Sequence, residues 1–272
     1  MVASSRLFAL GHRLRTQTPV LYLAMRRVLY LGRREALDPT WERIARGLSP
    51  GDLAVQAGPF AGMRYLPFAS GSGLLPKLTG SYEMELHAAV AESISRSPAQ
   101  LINIGAGEGY YAIGYARRLP GLAIHAFDSD VLARRRLRDL AHHNGVLGRV
   151  RIRERCCHRQ LECTIAARTL IVCDCEGCEG DLLDPHRVPR LGTADLIVEL
   201  HVERQPAVAD LMLSRFASTH EATRLQMTPR TKAAVAFAEI LSRIAPADQG
   251  MALHEREERT EWLWLRSRRW TA

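Results

Sequence analysis

A mostly parallel seven-stranded α/β sheet with helices on both faces is the fold class that the sequence predicts, on three observations. From residue 100 onward, short apolar runs alternate with helical patterns, the signature of strands joined by crossover helices. The first run, "LINI", enters a loop with glycine at alternate positions, Gly105, Gly107 and Gly109, and a helical pattern follows. The second and fourth runs end in acids, Asp128 and Asp174, and ligands of open α/β sheets gather at such carboxyl ends.

Taken in order, residues 1–80 read as an N-terminal helical extension and lead-in, and residues 81–272 as the sheet domain. Leu21, Met25 and Val28 recur at helical spacing and predict a helix docked on that domain. The Arg-rich, acid-poor start also suits a targeting peptide or a membrane-surface helix, but it has neither the apolar segment nor the small-residue cleavage site of a leader. In "DPTWERIARGL", Asp38 is placed to cap, Pro39 takes the first helical position and Glu42 favours the positive helix end. Glycines and prolines across 51–80 predict loops and short strands. "SYEMELHAAVAESISR" predicts a helix capped by Ser81 and closed by Ser97-Pro98.

The strands are expected at 100–104, 122–127, 149–154, 169–174, 194–200, 219–226 and 260–267. Helices between the first five are expected to start near Glu108, Val131, His158 and Glu179, with Asn144-Gly145 ending the second. The last strand alternates Trp262 and Trp264 with Leu263 and Leu265, which predicts cover on both faces.

Composition is that of a soluble globular protein, with 47% hydrophobic and 24% charged residues. No stretch reaches the about 20 consecutive apolar residues of a membrane span. The net charge of +8 invites a nucleic-acid partner. That reading is set aside, because lysine occurs only at Lys77 and Lys232 while arginine is spread along the whole chain rather than gathered in a patch. The six cysteines crowd between Cys156 and Cys178, unlike a disulfide framework, so a reducing cytoplasm is expected. Cys175-x-x-Cys178 with its neighbours lacks a clean second metal-binding pair, and small buried thiols are the preferred reading.

A strand that ends in glycines and opens a helix offers bare N–H groups and the positive end of a helix dipole, as a nucleotide-type ligand requires. The dinucleotide fingerprint wants G-x-G-x-x-G, but Tyr110 stands where its third glycine belongs, which weakens an NAD-dependent oxidoreductase. Asp128, about twenty residues on, suits the two hydroxyls of a ribose.

With "GAGEG", Asp128, "DCEGCEGDLLDP", "ADLIVELH" and the lead-in "LLPKLTGSYEMEL", residues 75–267 resemble the class I S-adenosylmethionine-dependent methyltransferases, most closely the FkbM-type branch. The resemblance implies a Rossmann-like fold and S-adenosylmethionine as cofactor. It implies cofactor contacts at Asn103, Gly105, Gly107, Glu108, Gly109, Tyr110 and Asp128. Asn103 stands where many class I enzymes carry an acid, so Glu83 or Glu108 is expected to supply the charge for the methionine ammonium. Tyr82, Tyr110 and Tyr111 either wall the cofactor or pack beneath the N-terminal helices.

Methyl transfer needs two partners in line and, for a hydroxyl acceptor, a base. Asp174, Glu176, Glu199 and His201 are the candidates, at the ends of the fourth and fifth strands; in the alternative, Asp174 orients cofactor or loop backbone and Glu179 caps the helix that follows. Asp174, Glu199 and His201 also suit a divalent cation; the metal-free base is preferred. "DCEG" lacks the Asn/Asp-Pro-Pro-aromatic loop that clamps a planar amine, so a small-molecule or sugar hydroxyl is the expected acceptor. An RNA methyltransferase, with the Arg residues of the first 50 positions forming one face with the cleft, and a non-catalytic scaffold are the alternatives.

Overall fold

The computed structural model describes residues 39–70, 72–255 and 260–270, and residues 39–272 form one compact unit. Asp38, the spacing of Leu21, Met25 and Val28, and most of the Arg-rich start lie outside the described residues.

Seven strands, β1 (Gln100–Ile104), β2 (Ala123–Phe127), β3 (Val150–Arg153), β4 (Thr169–Cys173), β5 (Asp195–Leu200), β6 (His220–Gln226) and β7 (Glu261–Ser267), form one sheet in the order β3-β2-β1-β4-β5-β7-β6. The first five are parallel and β7 runs antiparallel to both of its neighbours. This is the expected mostly parallel, Rossmann-like α/β fold, and every observed strand end lies within one residue of its expected place.

The central strands β4 and β5 are buried at every position, as unbroken apolar runs require when helices cover both faces. The outer strands β3 and β6 are polar and mostly exposed, with Arg151 and Arg153 on one and Glu221 and Thr223 on the other; charged side chains there discourage pairing with another chain. Trp262, Leu263, Trp264 and Leu265 of β7 are all buried, so both faces of that strand are covered as expected.

The helices are α1 (Pro39–Leu48), α2 (Leu74–Thr79), α3 (His87–Ser95), α4 (Tyr110–Arg118), α5 (Val131–His143), α6 (His158–Thr164), α7 (Glu179–Leu182), α8 (Val208–Phe216), α9 (Arg230–Ala236), α10 (Ala238–Leu241) and α11 (Pro246–Ala252). Pro39 and Glu42 sit in the first turn of α1 as expected, and Gly145, at φ +68°, takes the left-handed turn after α5.

Three local expectations are corrected. The segment 51–80 has only an isolated bridge, Ala54 to Arg64, and it contains the buried helix α2. Pro76 is tolerated there because it lies within the first turn, where backbone N–H groups have no helical partner. Ser81 caps nothing: its hydroxyl pairs with that of Thr79 at 2.8 Å, Glu83 takes a left-handed φ of 45°, and Met84–Leu86 forms a 3-10 turn before α3. The Glu83 N–H donates instead to Glu255 Oε2 at 3.0 Å, a long-range tie that overrides local propensity. Finally, α4 begins at Tyr110 rather than near Glu108, because Gly107 and Gly109 hold positive φ.

Candidate active site

The glycine loop leaves β1 at Ile104 with Gly105, Gly107 and Gly109 at φ +72°, +55° and +100°. Phe127 O accepts the N–H groups of both Gly105 and Ala106 at 2.9 Å, and Asp174 N donates to Ile104 O at 2.9 Å, so the loop is pinned between the ends of β2 and β4. At Gly105 a Cβ would overlap the Asp174 carbonyl. Gly107 is different: the nearest atoms to an added Cβ belong to Ser70 at 3.8 Å, so its glycine leaves an open floor.

Above that floor lies a small cleft lined by Ser70, Lys77, Asn103, Gly107, Tyr111 and Asp174 among others. Asn103 Nδ2 donates to Val172 O at 3.3 Å, while its Oδ1 has no hydrogen-bond partner among the described residues although Asn103 is only 2% exposed. Tyr82, Tyr110 and Tyr111 line the cleft and also pack: Tyr110 meets Tyr82 at 5.0 Å and Phe60 at 5.4 Å, edge to face.

Glu108 lines the cleft, but its carboxylate faces the lead-in. It pairs with Lys77 and accepts from Tyr65 Oη at 2.6 Å and Ser70 N at 2.8 Å. Its charge thus fastens residues 65–77 to the sheet. Glu83 is fully buried and accepts a hydrogen bond from Tyr111 Oη. Asp128, expected at a ribose, holds the loop backbone in this structure: Oδ2 accepts Gly107 N and Oδ1 accepts Asp130 N, each at 2.7 Å. Burial raises its pKa against the opposing pull of those two N–H groups.

At the ends of β4 and β5 the structure gathers Asp174, Glu199, His201 and Glu179. His201 Nδ1 lies 2.8 Å from Glu179 Oε1, and Nε2 lies 3.6 Å from Asp174 Oδ1. Asp174 shares a hydrogen bond with buried Glu199, and burial pushes its pKa up to about 6 despite that bond, with the charge of Glu83 adding to the rise. Burial works against protonated His201, yet Glu179 and Asp174 outweigh it and raise its pKa above the ordinary value.

Two corrections follow. Glu176 does not join this cluster: it is exposed at φ +61°, and Arg204 Nη2 holds its carboxylate at 2.6 Å. Glu179, read as a helix cap, is fully buried, and its Oε1 accepts Cys175 N at 3.1 Å and Gly177 N at 3.3 Å while facing His201. Its signal in the sequence was an acid with no basic residue within four positions before it. Ligand atoms of Asp174, Glu179 and His201 lie within 4.8 Å of one another, so the set able to hold a cation includes Glu179 in place of the expected Glu199.

The thiol expectation is corrected too. Cys175 and Cys178 form a disulfide, and Cys157 and Cys163 are exposed; only Cys156 and Cys173 are buried thiols.

No protein-family model matches the chain, and no curated protein is significantly similar to it in sequence. Solved structures similar to it include the O-methyltransferase TomG from Streptomyces achromogenes, in complex with S-adenosylmethionine, at 13% identity, covering 89% of this chain and 96% of that one with a TM-score of 0.45. An O-methyltransferase from Bacillus cereus, in complex with S-adenosylhomocysteine, is 14% identical over 86% and 93%, TM-score 0.45. The C-terminal domain of precorrin-6Y C5,15-methyltransferase from Rhodobacter capsulatus is 13% identical over 70% and 96%, TM-score 0.46. The likeness is one of fold.

Proposed function

We propose that the protein is an S-adenosylmethionine-dependent methyltransferase, closest to the FkbM-type branch, that methylates a hydroxyl of a small molecule or sugar. The observation that carries this reading is the glycine loop at the end of β1, which opens onto a cleft with Asn103 and Asp174 at its wall. When bound, the cofactor supplies an activated methyl group; Asn103, Gly105, Gly107, Gly109, Tyr110 and Glu83 are the residues we assign to its cleft. We include a cytoplasmic setting in the proposal.

Calorimetry with S-adenosylmethionine and with NAD tests the cofactor. The former should bind and the latter should not. Gly107→Val should abolish binding and cost about 1–2 kcal/mol of stability for a side chain at φ +55°, but not unfold the protein by a clash, since its Cβ meets no atom nearer than 3.8 Å while filling the floor of the cleft; undiminished affinity would sink the assignment of the loop. In Asp128→Ala the Gly107 and Asp130 N–H groups lose their acceptor. With such charge-assisted bonds at ~1.5–3 kcal/mol each, cofactor affinity should fall at least about tenfold as the loop loses its preset shape.

His201 is the base we assign, with Asp174 and Glu179 beside it. It would accept the proton of the acceptor hydroxyl, for which a bound cofactor would supply the activated methyl group. His201→Ala should lower turnover by roughly 10²–10⁴ while cofactor affinity stays unchanged, measured with methyl-labelled cofactor and acceptor from cell extract. Turnover should climb as pH rises through the His201 pKa, above the ordinary 6.5. Stability should move the other way. Both groups have raised folded-state values, so their contribution is complete below the unfolded values of 3.8 and 6.5 and is lost as pH rises through the folded ones, about 6 for Asp174 and higher than 6.5 for His201.

The convergence of Asp174, Glu179 and His201 favours a second reading, in which they hold a divalent cation that orients the hydroxyl. Activity lost to a chelator and restored by Mg²⁺ would replace the metal-free base with that one.

A further inference from the structure

We infer that Cys175 and Cys178 form a reversible redox lock on the loop that sets the Asp174, Glu179 and His201 cluster. The disulfide closes the four residues directly after Asp174 and ends one residue before Glu179. Inside it, Glu176 and Gly177 both adopt left-handed φ, +61° and +99°. That conformation aims the N–H groups of Cys175 and Gly177 at Glu179 Oε1, at 3.1 and 3.3 Å, and the same oxygen lies 2.8 Å from His201 Nδ1. The cross-link therefore holds the backbone that holds Glu179, and Glu179 holds His201.

The pair is reachable as well as connected. Cys175 and Cys178 are half-buried at the mouth of the sheet, with exposed Glu176 between them. A third sulfur, the buried Cys173 Sγ, lies 3.7 Å from Cys175 Sγ, so the bond sits at the border between the apolar core and solvent. The step is a two-electron exchange with a dithiol: one thiolate of the reductant attacks a sulfur of the disulfide and a mixed disulfide forms. Its second thiol then resolves it, leaving two protein thiols and an oxidised reductant. A disulfide that is partly exposed belongs to the labile class rather than to the buried structural one. With the bond open, Arg204 on the Glu176 carbonyl and carboxylate and Gln205 Nε2 on Gly177 O at 2.9 Å still hold one side of the loop, but the covalent closure is gone and the aim of both N–H groups at Glu179 loosens. The lock does not depend on which cofactor or acceptor the cleft takes.

Full-length protein, purified without reductant, is alkylated natively with N-ethylmaleimide, then reduced, labelled with iodoacetamide and mapped by peptide mass spectrometry. Cys157 and Cys163 should carry the first label and Cys175 and Cys178 the second. Native treatment with dithiothreitol should move both to the first label, and oxidised glutathione should move them back. Hydrogen exchange of the Cys175 and Gly177 amides should quicken by about tenfold or more in the reduced protein, and Cys178→Ser should show the fast rate in either state. First-label alkylation of Cys175 and Cys178 even after oxidised glutathione would overturn the proposal. Equal exchange rates in the oxidised and reduced wild type would overturn it too, whether or not the variant folds. Neither readout uses S-adenosylmethionine, so failure of the lock and failure of the methyltransferase reading are separate results.

Discussion

Lys77→Met should destabilise the protein by about 3–5 kcal/mol in urea unfolding, because it leaves a buried carboxylate without its cation. Lys77 is 2% exposed and Glu108 is 1% exposed, and they pair inside the protein, with Tyr65 Oη and Ser70 N completing the carboxylate's contacts. Methionine keeps the length of the side chain, so little packing is lost with the charge. Burial alone would raise the Glu108 pKa, but Lys77 and Tyr65 outweigh it and hold it below its ordinary 4.5. A depressed folded-state value contributes stability above 4.5 that is lost as pH falls through the folded value. The variant has lost that contribution, so its deficit against wild type should shrink in acid, where the proton replaces the ammonium. Lys77→Met combined with Glu108→Gln should recover much of the loss. A Lys77→Met protein as stable as wild type at neutral pH would mean that the pair holds nothing together.

Gly105→Ala is expected to be as damaging, for a steric reason. An added Cβ would overlap the Asp174 carbonyl oxygen and reach its carbon at 2.6 Å, at a φ of +72°. Neither side can yield, since Gly105 N is tied to Phe127 O and Asp174 N to Ile104 O, each at 2.9 Å. A loss of at least about 3 kcal/mol, or no folded protein at all, is the expected outcome. Gly145→Ala is the control: φ is +68° there but nothing lies within 4 Å of the new atom, so only the conformational penalty of about 1 kcal/mol applies. Equal melting shifts for the two variants would remove the clash from the explanation.

What the sequence disclosed was whatever depends on neighbours in the chain. Apolar runs bounded by turns located the inner strands, and alternate glycines located the loop, because burial on two faces and positive φ each leave a local mark. Partners distant in the chain left none. Glu108 looked like a ligand contact because nothing near it in the sequence reveals Lys77, 31 positions away. Ser81 looked like a cap because Glu255, which redirects the turn at Glu83, is 172 positions from it. That Glu179 rather than Glu176 faces His201 was not legible either, since their relative placement depends on Arg204 and His201 on a different strand-end loop. The helix α2 was hidden by its own Pro76, which reads as a loop signal although the first turn accepts it.

The place of β7 has a consequence for how the chain comes together. In the described sheet β6 hydrogen-bonds only to β7, and β7 separates it from β5. During synthesis β6 therefore emerges with no edge to join, and the apolar flank of β5 stays open until residues 261–267 have left the ribosome and slipped between them. The half of the sheet that carries Glu199 and leads to His201 is thus completed late, by pairing across a long separation, which is slow. Over that interval the nascent chain offers an adhesive strand edge that a holding chaperone, or a second nascent copy, is able to grip.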